Sequence, residues 1–315
     1  MIPLEIHKTI TLAKSADSGY LLFSHGRPPQ LFFIDYSAKS IGVWAGINAL
    51  RRMRPSIRPA AKEYMEMIMS AYPLLFSPIK INQMELKSRI VMPAIHLNYT
   101  PGGKVTDQLV AFYRDRAQGG AALMVVGGAV ISPIAGGPVM VSIKEDSDIE
   151  GLSRLSQAAH DHGAAIGVQL YHAGAYAHRM LIGGEAVSSS AHTSAFTREE
   201  ARALALEEIP AVQDEFAAAA ARAKQAGFDM VEILGSAGYL ICQFLSPKIN
   251  QRDDQYGGSL ENRMRFGLEV VRKVRAAVGP DYCVGIRLAG NDFVPGSHTN
   301  EESKLFAAAC QEAGV

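Results

Sequence analysis

The sequence predicts an α/β protein built as a (β/α)8 TIM barrel, and three observations carry that expectation. From Ser88 onward, short β-branched apolar runs alternate with amphipathic helical stretches. Each run is nearly continuous in apolar residues, as strands buried on both faces of a parallel sheet require. Polar groups gather where runs end: His96, Asn98 and Tyr99 after the first, Gln169 and His172 at the third, Arg287 at the fifth. Functional groups at the C-terminal ends of several strands mark the working rim of a barrel. An open, dinucleotide-binding sheet would instead place G-x-G-x-x-G after a strand, and no G-x-G occurs in the 315 residues.

In chain order, the strand runs are RIVMPAI (89–95), AALMVV (121–126), AAIGVQLY (164–171), FDMVEIL (228–234) and YCVGIRL (282–288). Helices are expected near 107–118, 151–162, 211–226, 259–278 and 299–313, giving right-handed βαβ units. That makes about five of the eight units a closed barrel needs, so the barrel is expected to be incomplete, truncated after the fifth unit. Residues 72–315 form this partial barrel. Residues 1–71 read as an N-terminal α+β extension of unknown role. Within it, LLFSHG and LFFIDYS suggest a hairpin turning at GRPP, and 44–70 reads as helical with interruptions at Pro55 and Pro59. Arg51, Arg52, Arg54 and Arg58 read as a solvated helix face, with a partner surface as the alternative.

Composition narrows the function classes. There are 31 basic and 31 acidic residues, so nothing favours a polyanion and nucleic acid is not an expected partner. Cys242, Cys283 and Cys310 lie far apart without C-x-x-C spacing, which suggests reduced thiols and neither a disulfide framework nor a zinc ribbon. Residues 117–142 carry no charge, long enough to suggest a membrane helix, yet they hold three glycine pairs and two prolines. A buried strand followed by a glycine-rich loop explains them better. Lys8 and Lys14 interrupt any signal-like apolar segment, so a soluble, cytoplasmic protein is expected, with no membrane partner.

Gln169 and Arg287 are the first candidate site residues. A bidentate cation beside a carboxamide suits a flat heteroaromatic ring, and a salt bridge to a neighbouring carboxylate is the alternative for the arginine. Gly127-Gly128 in VVGGA permits close backbone approach to a ligand, although such a pair is commonly only a turn. His172 and His178 are six apart without a third ligand, and His160 and His162 sit at a helix end, so no metal site is expected. The stretch 234–259 reads as a long functional loop. In it Tyr239, beside Gly238, is placed to donate a proton, and Ser259 is placed to cap the next helix.

Five segments together resemble a known family: LFSPIKI…LKSRIVMPAIH, FYRDRAQGGAALMVVGG, VQLYHAG, GSAGYLICQFLSPKINQRDDQYGGSLENRMRF and the GIRL strand end. From Tyr72 to Val315 the chain resembles the old yellow enzyme family of NADH:flavin oxidoreductases, nearest its 2,4-dienoyl-CoA reductase and enoate reductase branch. The resemblance implies a (β/α)8 barrel with FMN at its C-terminal mouth and NADH or NADPH as reductant. By motif, Ala94, Ile95 and His96 would contact the flavin, Gly128 its carbonyl edge, Gln169 its pyrimidine portion and Arg287 its N1–C2 region. Tyr239 would protonate the substrate carbon opposite the hydride, and Lys248, Ile249, Asn250 and Gln251 would contact a thioester substrate. The family's histidine pair before the tyrosine is replaced by Leu234 and Ala237, and its arginine after H-x-G by Ala175. An iron–sulfur cluster would belong only to a longer parent protein.

The expected activity is therefore FMN-dependent reduction of activated C=C bonds in unsaturated thioesters or carboxylates. A methylamine-type flavin dehydrogenase is a second reading. A catalytically inactive barrel fragment, associating with itself or with a complementing barrel segment, is a third.

Overall fold

The structure, a computed structural model, describes the backbone of residues 21–25 and 27–32 and, in full, residues 66–67 and 69–315. The chain divides into two compact units: residues 1–77 with 118–120, and residues 78–117 with 121–315.

In the first unit, β1 (Leu21–His25) and β2 (Arg27–Phe32) pair antiparallel, with Leu21 opposite Phe32. The turn is tighter than GRPP, because Arg27, Pro28 and Pro29 already belong to β2. An extended strand in a two-stranded ribbon tolerates proline, whose missing N–H can face away from the ladder. Of the helix expected over 44–70, the described end at 69–71 is helical. Pro55, Pro59 and the Arg51, Arg52, Arg54 and Arg58 cluster lie outside the described residues.

The second unit opens with the hairpin β3 (Ile79–Ile81) and β4 (Met84–Leu86), followed by β5 (Val91–Met92) and α1 (Asp107–Gln118). Then come β6 (Leu123–Val130), α2 (Ile149–His160), β7 (Ala165–Tyr171) and the single turn α3 (Arg179–Ile182). Three short strands follow, β8 (Ala186–Ser188), β9 (His192–Thr193) and β10 (Glu200–Ala203), and then α4 (Ile209–Gln225) and β11 (Met230–Gly235). The chain ends with α5 (Leu240–Leu245), α6 (Leu260–Val278), β12 (Cys283–Leu288) and α7 (Asn300–Ala313).

Five strands form one wholly parallel sheet in the order β12-β11-β7-β6-β5. Successive strands are spatial neighbours, as in a barrel wound in one direction. The sheet is an arc of five barrel strands. β6 is buried along its whole length, while the edge strands are more open, with Val91 and Arg287 exposed. α4 and α6 cover the outer face, burying Phe216, Phe266, Val270 and Val274, and Phe244 stacks on Phe266 with ring centroids 4.1 Å apart. Each such side chain contributes about 1.5–3 kcal/mol of transfer free energy. At the opposite end of the strands, Met84 and Leu86 of the hairpin pack on Leu123, Met230 and Cys283, closing the N-terminal mouth.

Four expectations need correction. The first strand is shorter than 89–95 because Pro93 offers no N–H to a ladder. The glycine pair after the second strand is no turn. β6 runs through it to Val130, with a register slip between Val126 and Ala129. A Cβ on Gly127 would stand 2.2 Å from the Ile95 carbonyl oxygen, so the pair admits the neighbouring chain rather than reversing its own. The stretch 234–259 is not structureless, since α5 lies within it. The small sheet β8-β10-β9 was not foreseen, because its strands are only two to four residues long.

The segment 250–266 is scaffold. Arg252 chelates the Asp254 carboxylate and donates to the Ser189 and Leu204 carbonyls at 2.9 and 2.6 Å. Arg263, 6 % exposed, donates to the Gly258 and Leu245 carbonyls and to Glu302. A Cβ on Gly257 would lie 2.1 Å from the Arg252 carbonyl oxygen, which fixes glycine there. Ser259 caps α6 as expected, accepting from the Asn262 N–H at 3.3 Å.

Candidate active site

On three adjacent strands, Gln169 and Arg287 near the C-terminal ends and Glu232 at mid-strand form one polar line. Glu232 on β11 lies directly across from Gln169 on β7, and Arg287 on β12 pairs in register with Leu234. Gln169 Nε2 donates to Glu232 Oε1 at 2.6 Å; Arg287 donates from Nε to Oε1 at 3.0 Å and from Nη2 to Oε2 at 3.1 Å. The salt bridge weighed for Arg287 is therefore present, and its partner is Glu232. A carboxylate only accepts, so the carboxamide nitrogen of Gln169 must face it and Gln169 Oε1 points elsewhere. Neither that oxygen nor Arg287 Nη1 bonds any described residue. One acceptor and one donor are thus held on a fixed carboxylate, the edge pattern that recognises an N–H/C=O heterocycle.

Sequence reasoning missed Glu232. The signal was an acid inside the apolar run FDMVEIL, which demands a charged or hydrogen-bonding partner when buried.

Tyr239 follows β11 after a sharp turn in which Ala237 (φ 56°) and Gly238 (φ 77°) adopt left-handed backbone and the Tyr239 N–H returns to the Ser236 carbonyl. Its half-buried ring meets Tyr171 edge-on at 4.7 Å and Tyr176 at 5.8 Å. His96 continues the row, edge-on to Tyr171 at 5.3 Å. Burial, and then the neighbouring Tyr239 hydroxyl, push Tyr171 far above the ordinary tyrosine range. Burial likewise raises Tyr176. Both tyrosines stay neutral and pack edge-on against Tyr239.

Gln243 of α5, also missed, locks this turn to the loop after β7. Its Nε2 donates to the Gly238 and Ala173 carbonyls at 2.8 and 3.2 Å, and its Oε1 accepts from the Ala175 N–H and the Ser188 hydroxyl. His172 is wholly internal: Nδ1 accepts from the Gly174 N–H at 3.1 Å, and burial lowers its pKa to about 3. His178 faces Glu199 and His160 faces Asp229, so these histidines do not converge.

The remaining candidates divide. Ala94 is half-buried, Ile95 and His96 are exposed, and this segment crosses Gly127 and Gly128; a Cβ on Gly128 would collide with the His96 ring. Lys248 and Gln251 are exposed and Ile249 is half-buried. Asn250 is buried with all its side-chain groups engaged: Nδ2 donates to the Phe244 and Tyr256 carbonyls at 2.7 Å, and Oδ1 accepts from the Arg252 N–H. Among the described residues no helix is long and apolar enough to cross a membrane.

Residues 74–315 match the family model described as NADH:flavin oxidoreductase / NADH oxidase family. The chain is 53% identical over 242 residues to a metal reductase of Desulforamulus reducens, covering 77% of this chain and 36% of that protein. It is 38% identical over 251 residues to an NADH oxidase of Thermoanaerobacter brockii, covering 78% of this chain and 39% of that one. A 2-naphthoyl-CoA reductase, solved with 2-naphthoyl-CoA, superposes with a TM-score of 0.74 at 34% identity, over 77% of this chain and 39% of that chain. The chain thus spans well under half the length of these relatives.

Proposed function

The chain belongs to the NADH:flavin oxidoreductase / NADH oxidase family, and we propose that its barrel mouth serves an FMN-dependent, NAD(P)H-driven reduction of activated C=C bonds in unsaturated thioesters or carboxylates. The observation that carries this reading is the Gln169–Glu232–Arg287 line with its free acceptor and free donor, set at the same strand ends as Tyr239. The residues fit the pyrimidine edge of a flavin: Gln169 Oε1 would accept its N–H and Arg287 Nη1 would donate to its carbonyl oxygen. Ala94, Ile95, His96 and Gly128 would form the backbone side of the same cradle. When bound, FMN supplies a carrier that accepts hydride from NAD(P)H and passes it to the substrate.

The chain's own residues do the rest. Arg287, held by Glu232, presents a fixed positive charge where negative charge builds on reduction, and such preorganised charge needs no rearrangement during the step. Tyr239 Oη holds the proton delivered to the substrate carbon opposite the hydride. Tyr171 and Tyr176 keep water from the pocket and orient the Tyr239 ring. Lys248, Ile249 and Gln251 offer contacts at the rim for the carboxylate or thioester portion, while Asn250 holds their loop in place. In this reading residues 72–315 are the FMN-binding segment and residues 1–71 a separate extension.

The test is an anaerobic half-reaction. The FMN-loaded chain is bleached with NADH or NADPH and then offered a 2-enoyl thioester or an enoate, and in parallel the oxidised chain is offered trimethylamine as the reductant. Reoxidation by an enoate or enoyl thioester supports the proposal. Bleaching by trimethylamine in place of NAD(P)H would replace it with the amine dehydrogenase reading.

A further inference from the structure

We propose that Cys242, Asp292 and His298 form a divalent metal site, suited to Zn²⁺, that ties the loop after β12 to the helix beginning beside Tyr239. Cys242 lies on α5, and Asp292 and His298 lie between β12 and α7, fifty residues or more along the chain. Cys242 Sγ, a carboxylate oxygen of Asp292 and a ring nitrogen of His298 all fall within 4.8 Å of one another. Sγ stands 3.5 Å from Asp292 Oδ1, and His298 Nδ1 stands 3.0 Å from Oδ2. A tetrahedral ion with bonds of about 2.3 Å to sulfur and about 2.0–2.1 Å to nitrogen and oxygen has ligand–ligand edges of roughly 3.3–3.5 Å. Through Asp292 Oδ2, which lies 3.8 Å from Sγ and 3.0 Å from His298 Nδ1, two of the three edges already bracket that range.

Two further observations point to a ligand. His298 is 3% exposed, yet neither ring nitrogen makes a well-aligned hydrogen bond to a described residue, with the Asp292 carboxylate 3.0 Å from Nδ1 and the Ala289 carbonyl as its polar neighbours. Buried imidazole nitrogens are ordinarily satisfied. The carboxylate is also held from behind: Ser297 Oγ donates to Asp292 Oδ2 at 2.6 Å and lies 2.9 Å from Ser246 Oγ. Outer partners of this kind orient ligating side chains. A thiolate, an imidazole and a carboxylate together suit zinc rather than magnesium or calcium. Three protein ligands leave a fourth position for water. On binding, the Cys242 S–H bond is replaced by a sulfur–metal bond and the proton passes to solvent.

The site is independent of flavin chemistry, and so is its test. The purified chain is stripped with chelator, dialysed against zinc, and examined by elemental analysis and zinc-edge X-ray absorption. One equivalent of zinc with one sulfur neighbour is expected. Cys242→Ser should remove the sulfur neighbour, and His298→Asn should keep it while weakening retention about tenfold or more, with circular dichroism confirming both folds. Absence of stoichiometric zinc, zinc without a sulfur neighbour, or retention unchanged in both variants would overturn the site and leave a metal-free thiol–carboxylate–imidazole cluster. If Cys242→Ser does not fold, the presence or absence of sulfur around zinc in the unaltered chain still decides.

Discussion

Arg287 and Glu232 face each other across neighbouring parallel strands, with two guanidinium nitrogens 3.0 and 3.1 Å from the two carboxylate oxygens. The geometry fixes the guanidinium plane and leaves its third nitrogen without a bond to any described residue. Replacing Glu232 by Gln should remove that anchor without changing shape. With Arg287 partly exposed, the loss in stability should be about 1 kcal/mol or less, readable in a urea unfolding midpoint. FMN affinity should fall about tenfold, because the carboxamide keeps one acceptor oxygen but sets an N–H against a guanidinium donor and removes the charge that holds Arg287. Unchanged affinity would mean that the line does not position the ring.

Tyr239→Phe keeps the edge-on packing against Tyr171 and Tyr176 and removes only the hydroxyl. Flavin binding and reduction by NAD(P)H should be unaffected, while reoxidation by an enoyl thioester should slow by about 10²–10⁴-fold. Stopped-flow absorbance separates the two half-reactions. Equal slowing of both would remove the proton-donor role.

Asn250→Ala tests the division within the rim loop. Its amide holds the Phe244 and Tyr256 carbonyls from inside, so truncation should cost about 1–3 kcal/mol and lower the melting temperature. Lys248→Ala, on an exposed side chain, should leave melting unchanged and raise the KM for a thioester.

His172 gives the chain an acid-sensitive point. Its folded pKa is lowered to about 3 by burial, against about 6.5 when unfolded, so the folded state prefers the neutral ring. The stabilisation is fully present above pH ~6.5 and is lost as pH falls from there toward ~3, where the unfolded chain binds the extra proton first. His172→Asn retains an acceptor for the Gly174 N–H and removes the titration. Urea midpoints measured from pH 7 to 4 should fall less steeply in the variant.

Much of this was legible along the chain, for a physical reason. Apolar runs ending in polar residues suit parallel strands that deliver groups to a rim, which is why Gln169, Arg287 and Tyr239 stood out. Ser259 was equally legible, since capping is a local property. Glu232 was visible as an acid in an apolar run, but its partners lie 55 and 63 residues away. Gln243 and Asp292 carried no local sign, because their roles depend on loops that meet only after folding. Gly127-Gly128 announced a special backbone, but only the Ile95 segment packed against it decides between turn and bulge.

A flavin in this mouth would be held by the free groups of Gln169 and Arg287. FMN titrated into the purified chain, followed by quenching of its fluorescence and compared with Gln169→Ala and Arg287→Ala, tests it most directly. Saturable quenching that weakens about tenfold or more in each variant is expected, with the fold retained by circular dichroism. Quenching that is absent in the unaltered chain, or the same in all three proteins, would contradict it.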